Sequence, residues 1–173
     1  MTDVLRTGSD DRAARRERAL AALAEQPDGI VEAIAEQAGL ASLDILEALP
    51  EPGCRLLAGT LFDAVWQELA TWGEVLLIVH TRDIVLEAAG TLPRGSEAHG
   101  WFNIHGDSPI GGHIRKENCR AIALVDRPFH GRRSCSVWFL NDKGEAMFKV
   151  FVRRGADKIL NSEQLARFEA MDY

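Results

Sequence analysis

The chain holds one tyrosine, Tyr173, and only three cysteines, Cys54, Cys119 and Cys135. The cysteines are far apart and form no CxxC or Cys/His spacing, which excludes a zinc site or a dithiol redox pair; buried, reduced thiols are expected. Long hydrophobic runs are missing too. The longest aliphatic stretch, "VLLIVH", is far too short to span a bilayer. The opening "MTDVLRTGSDDRAARRER" is polar and lacks the apolar centre of a signal peptide, so a cytoplasmic location is expected. An excess of basic charge is lacking as well. Twenty Lys and Arg stand against 26 Asp and Glu, for a net charge of −6, which argues against general affinity for nucleic acid or anionic membrane. No GxSxG, HExxH, P-loop or GxGxxG constellation occurs, so the common hydrolase, metalloprotease and nucleotide-binding chemistries have no foothold.

What is present changes period near residue 73. Before it, apolar residues recur at helical spacing. "RALAALAEQ" is one amphipathic segment, stopped at Pro27-Asp28-Gly29. "IVEAIAEQAGLASLDILEAL" reads as two short helices around Gly39, with Ser42 as the N-cap of the second. "TLFDAVWQELATWG" is a further helix, capped by Thr60 and ended by Gly73. After Gly73 the period becomes two. "EVLLIVH" and "DIVLEAAG" read as a hairpin, and "CRAIALVD", "SCSVWFLN" and "EAMFKVFVRR" as further strands, the last two joined across Asp142-Lys143-Gly144. In the last strand Phe148, Val150 and Val152 share one face, and Lys149, Phe151 and Arg153 the other. A closing helix starts at Ser162. Helices first and hairpin-linked strands afterwards predict an α+β fold with a large antiparallel sheet. The whole chain reads as one domain: residues 1–17 a flexible lead, 18–72 a helical layer, and 73–173 the sheet with its closing helix.

The two short helices resemble a helix-turn-helix, but a reading helix needs basic or amide side chains to meet phosphates and bases. No lysine or arginine lies between Arg18 and Arg55, whereas Glu25, Asp28, Glu32, Glu36, Asp44, Glu47 and Glu51 do. Such a surface repels DNA, and a structural helical layer is the better reading.

All five histidines, His80, His99, His105, His113 and His130, fall in the strand-rich half. His80 ends an apolar strand and shares a face with Leu76 and Ile78, as either a core residue or a ligand. His113 stands in "GWFNIHGDSPIGGHIRKENC", after two glycines that leave room for close approach and before the basic pair Arg115 and Lys116. His99, His105 and His130 sit in turn-like contexts and read as surface residues. Trp101 and Phe102 precede the His113 loop. They are either sheet core or walls for a flat apolar cofactor. Arg115, Lys116, Arg127, Arg132 and Arg133 are solvated, or pair with carboxylates at its edge.

The blocks "WGEVLLIVHTRDIVLEAAGTLPRG", "HGWFNIHGDSPIGGHIRKENCRAIALVDRPFHG" and "NDKGEAMFKVF" resemble the ChuX/HutX family of intracellular haem-utilisation proteins. "QPDGIVEAIAEQAGLASLDILEALP" is similar too, so the resemblance runs over nearly all the chain beyond about residue 17. It implies a ChuX/HemS-like fold and a cytoplasmic haem carrier that passes its cargo to a haem-degrading enzyme. It also implies a homodimer whose sheets combine into a saddle. The family's two haem-linked histidines fall on "IVHT" and "GGHIR", here His80 and His113, which are the expected ligands of the haem iron. Trp101, Phe102, Arg115 and Lys116 complete the expected haem-binding set. Members often carry tyrosine in the "HG-aromatic-FN" segment, where this chain has Trp101; no phenolate is on offer there, which shifts weight to imidazole. A haem-degrading or haem-reducing enzyme is the alternative reading, and a haem-responsive DNA-binding regulator a weaker one.

Overall fold

The computed structural model describes residues 3–173. Three helices open it: α1 (Asp3–Glu25), α2 (Val31–Ala38) and α3 (Ser42–Glu47). The strand β1 (Cys54–Ala58) follows, then α4 (Phe62–Leu69). The rest is β2 (Glu74–His80), β3 (Val85–Thr91), β4 (Ser96–Ala98), β5 (Trp101–Ile104), β6 (Gly112–Ile114), β7 (Ala121–Phe129), β8 (Arg132–Leu140) and β9 (Ala146–Phe151), closed by α5 (Ser162–Ala170). A six-stranded antiparallel sheet runs in the order β1-β7-β8-β9-β2-β3, and a three-stranded one in the order β4-β5-β6. This is the expected α+β architecture.

Several boundaries differ from the sequence reading. The helical layer was expected to begin at 18 after a flexible lead, yet α1 runs from Asp3; Met1 and Thr2 lie outside the described residues. Arg15 anchors its second half, pairing with Asp11 at 2.6 Å and with Asp44 of α3 at 3.5 Å. Cys54–Ala58, expected inside that layer, is an edge strand in full register with β7 from Cys54↔Val125 to Ala58↔Ala121. Ser42 does not cap α3 from outside. It is the first helical residue, and its hydroxyl donates to Glu145 Oε2 at 2.8 Å while the Asp44 carboxylate accepts the Ala41 N–H. Thr60 lies within a 3₁₀ turn, Gly59–Leu61, that leads into α4.

The main sheet is covered differently on its two faces. On one, Val75, Leu77, Ile122, Leu124, Val137, Phe139, Phe148 and Val150 meet α4, α5 and the small sheet in the larger core. Trp66 of α4 is fully buried there, its indole N–H donating to Pro93 O at 2.9 Å, so the ring is buried without an orphaned donor. On the other face α1–α3 cover Ala123, Val125, Trp138 and Leu140, with Cys54, Ala121 and Ala146 at the margin. The helix-turn-helix-like pair is thus a lid on the sheet: Ile45 and Leu46 of α3 are buried, and Arg12 and Arg15 of α1 pair with Glu47 and Asp44. The part of this face beyond the helices is where β2, β8 and β9 stay open.

Candidate functional site

The uncovered part of that face forms a cleft of about 690 Å³, within the range of small-molecule sites. Strand alternation builds it. Val75, Leu77 and Val79 of β2 point into the larger core, so Leu76, Ile78 and His80 point into the cleft. In β9, Phe148 and Val150 face the core, whereas Lys149 and Phe151 line the cleft, as the sequence predicts. In β8 the cleft residues are Arg132, Ser134, Ser136 and Trp138. The serines leave the floor low, and the Ser136 hydroxyl accepts the Trp138 indole N–H at 2.8 Å, which fixes that ring.

One end of the cleft holds three ionisable groups, two of which meet the third. Glu32 of α2 accepts from Lys149 Nζ through Oε1, and the same oxygen lies 3.3 Å from His80 Nδ1. The side chains are only 15 %, 6 % and 19 % exposed for Glu32, Lys149 and His80. Lys149 Nζ also sits 4.3 Å from the Trp138 ring centroid, a cation–π contact that helps offset its burial. With Nδ1 beside Glu32, Nε2 is the ring nitrogen of His80 left without that contact.

Arginines line the cleft as well. Arg127 donates to Gly29 O at 2.7 Å and Pro27 O at 2.9 Å, holding the entry to α2 against the sheet. Its Nε is buried without a partner among the described residues. Arg132 lies at the exposed rim with no ion-pair partner among them. Beside it are Phe129 and His130 at the tip of the β7–β8 hairpin, so His130, expected to be a plain surface residue, belongs to the cleft lining. Arg133 points away from the cleft and is committed to Asp126 and Glu169.

His113 is elsewhere. Along β5 and β6, Phe102, Ile104 and Ile114 turn toward the larger core, so Trp101, Asn103 and His113 turn outward. His113 Nδ1 meets Asn103 Oδ1 at 2.6 Å, the His105 ring is 5.2 Å away, and the Arg115 guanidinium stacks 4.1 Å above Trp101. The glycine gap is real: Gly112 has φ 146°, and a Cβ there would meet nothing within 4 Å. It opens to the surface, however, and the larger core separates this cluster from the His80 cleft. Within one chain the two histidines are not brought together.

Two expected site residues have other commitments. Phe102 is core: it is 4 % exposed, packs edge-on against Phe62 and Trp66, and presses on Gly95, where any Cβ would lie 2.2 Å from its ring. Lys116 is tied to Asp63 at 2.7 Å and to Glu97, and so is not a free cation. Glu32, Lys149 and His130 escaped the sequence reading. A lysine inside "MFKVF" was the one local signal, since a charge on a buried strand needs a partner.

Residues 55–171 match the model of the family described as haem utilisation ChuX/HutX. The intracellular heme transport protein HutX of Vibrio cholerae is 35 % identical over 150 residues, covering 86 % of this chain and 78 % of that one. A crystal structure of a protein from Agrobacterium tumefaciens is 57 % identical, with a TM-score of 0.84 over 98 % of this chain and 94 % of that one. The structure of the heme-binding protein ChuX is 38 % identical, with a TM-score of 0.80 over 88 % of this chain and 96 % of that one.

Proposed function

Because the chain belongs to the ChuX/HutX family of haem-utilisation proteins, we propose that it binds haem in the His80 cleft and carries it, without chemistry on the cargo, to a haem-degrading enzyme. The observation that carries this reading is the make-up of the cleft. Leu76, Ile78, Phe151 and Trp138 offer walls for a flat apolar ring, the His80 and His130 imidazoles line it, and Arg132 stands at the rim for carboxylates. Haem has all three complements: a macrocycle, an iron that takes nitrogen ligands, and two propionates. Relatives named for intracellular heme transport and heme binding support the same cargo and a cytoplasmic role.

The cleft holds no acid/base pair placed to assist oxygen chemistry. Of the two carboxylates that line it, Glu32 is occupied by Lys149 and His80, and Glu87 is an exposed residue of the outer strand β3. A carrier needs only a shielding wall and an exchangeable ligand, and this cleft supplies both. We also propose a homodimer. β3 is an outer strand of the main sheet, with Val85 and Leu86 more than half exposed and Ile84 exposed just before it; a free apolar edge invites a second copy.

Hemin titration followed by absorbance tests the cargo and the site together. The protein should give a shifted, saturating Soret band, which His80→Ala abolishes or respeciates. His113→Ala, on the far side of the core, should matter less unless His113 supplies a second ligand across a dimer. A titration indistinguishable from hemin plus an unrelated acidic protein would defeat the carrier reading. Conversion of the bound haem to one defined bilin under ascorbate with catalase present would replace it with an enzyme.

A further inference from the structure

Glu32 lies on a helix of the lid rather than on the sheet, yet it is the group that meets His80 Nδ1, at 3.3 Å. Lys149, from the strand beside β2, competes for the same carboxylate oxygen. This is a buried triad of one carboxylate, one ammonium and one imidazole, with its imidazole open toward a cavity. A purely structural ion pair needs only Glu32 and Lys149. The histidine is the unexplained third member. A carboxylate that accepts a hydrogen bond from one ring nitrogen fixes the tautomer and makes the other nitrogen a stronger donor, and Glu32 Oε1, 3.3 Å from Nδ1, is near enough to take that role.

We propose that Glu32 is a positioning residue for the iron ligand: it holds the His80 ring with Nε2 toward the cleft, and Lys149, by sharing the carboxylate, limits how much electron density the imidazole passes on. The proposal rests on the reading that His80 binds the haem iron. It makes the lid helix α2 part of the site, because moving α2 withdraws the acceptor from Nδ1. Binding strength is thereby tied to the docking of α2, whose entry Arg127 pins through the carbonyls of Pro27 and Gly29.

The test uses the full chain loaded with hemin. Glu32→Gln keeps the shape but weakens the acceptor, and leaves Lys149 buried without its partner. Glu32→Gln combined with Lys149→Met removes that stranded charge and keeps the experiment alive if the single variant fails to fold. In the reduced, five-coordinate complex, resonance Raman should show the iron–histidine stretch shifted to lower frequency in both. The ferric/ferrous midpoint should move positive in both, and hemin affinity should fall by about ten-fold or more. Lys149→Met alone should move the stretch and the midpoint the opposite way. If His80→Ala removes the histidine-ligated spectrum while both Glu32 variants keep the wild-type stretch and midpoint, the positioning role is overturned and the ligand reading stands. If His80→Ala leaves the spectrum unchanged, both fall together.

Discussion

Asp126 of β7 accepts three hydrogen bonds from Arg133, at 3.0, 3.2 and 2.6 Å, in a forked arrangement. That bonding holds its carboxyl below the ordinary value of 3.8, against the opposing pull of partial burial. A carboxyl whose folded value is depressed binds fewer protons in the native state than in the unfolded one. Its stabilisation is therefore complete above about pH 4 and is lost as the pH falls through the lower, folded value. Asp126→Asn should flatten the acid limb of the stability curve measured by urea unfolding between pH 5 and pH 2; an unchanged limb would remove the pair from the acid response. The three thiols show the opposite shift. Burial pushes Cys54 and Cys135 up to about 12 and Cys119 to about 11. All three should resist iodoacetamide at pH 8 while the protein is folded and react fully in urea, as mass spectrometry can count. Single residues also mark what a sequence conceals. His80 was legible because alternation along "EVLLIVH" sets its face. Its contact with Glu32 was not, since no local pattern reports which helix will cover that end of the sheet.

At the scale of elements, the long strands announced themselves through their period and the short ones did not. β2, β7, β8 and β9 are six to nine residues each and bury one or both faces, so their apolar pattern is dense. β4, β5 and β6 have three or four residues, are half solvated and adjoin glycines. In such segments pairing is decided by the surface they lie on, which no local window contains. β1 hid for another reason: "CRLLA" follows two prolines and precedes a helix, and only its ladder with β7 makes it a strand. The small sheet depends on Phe102 as its peg. Phe102→Ala should cost about 3–5 kcal/mol in global stability by denaturant unfolding, leaving a cavity beside Phe62 and Trp66. If hemin still binds the folded fraction with wild-type affinity, the ring is a packing residue and no wall of the cargo site.

For the molecule as a whole, the larger core stands between the His80 cleft on one face and the His113 cluster on the other. The sequence resemblance carried the family and its haem chemistry, but not this separation, because spacing along the chain says nothing about which side of a core two histidines occupy. Association is the remaining whole-molecule question. Light scattering at micromolar concentration should give about twice the 19.1 kDa chain mass, and Leu86→Lys on the β3 edge should shift it toward one chain without unfolding it. A wild-type mass of one chain would leave that edge unpartnered.

The four tryptophans divide along the same partition. Trp138 lines the cleft under Lys149, Trp101 stands beside His113, and Trp66 and Trp72 are buried in the core between. The chain thus carries its own emitters on both sides. A bound porphyrin quenches the nearest indole most strongly, so the fluorescence lost on loading, resolved with Trp138→Phe and Trp101→Phe, would report which face the cargo first occupies and the order in which it leaves.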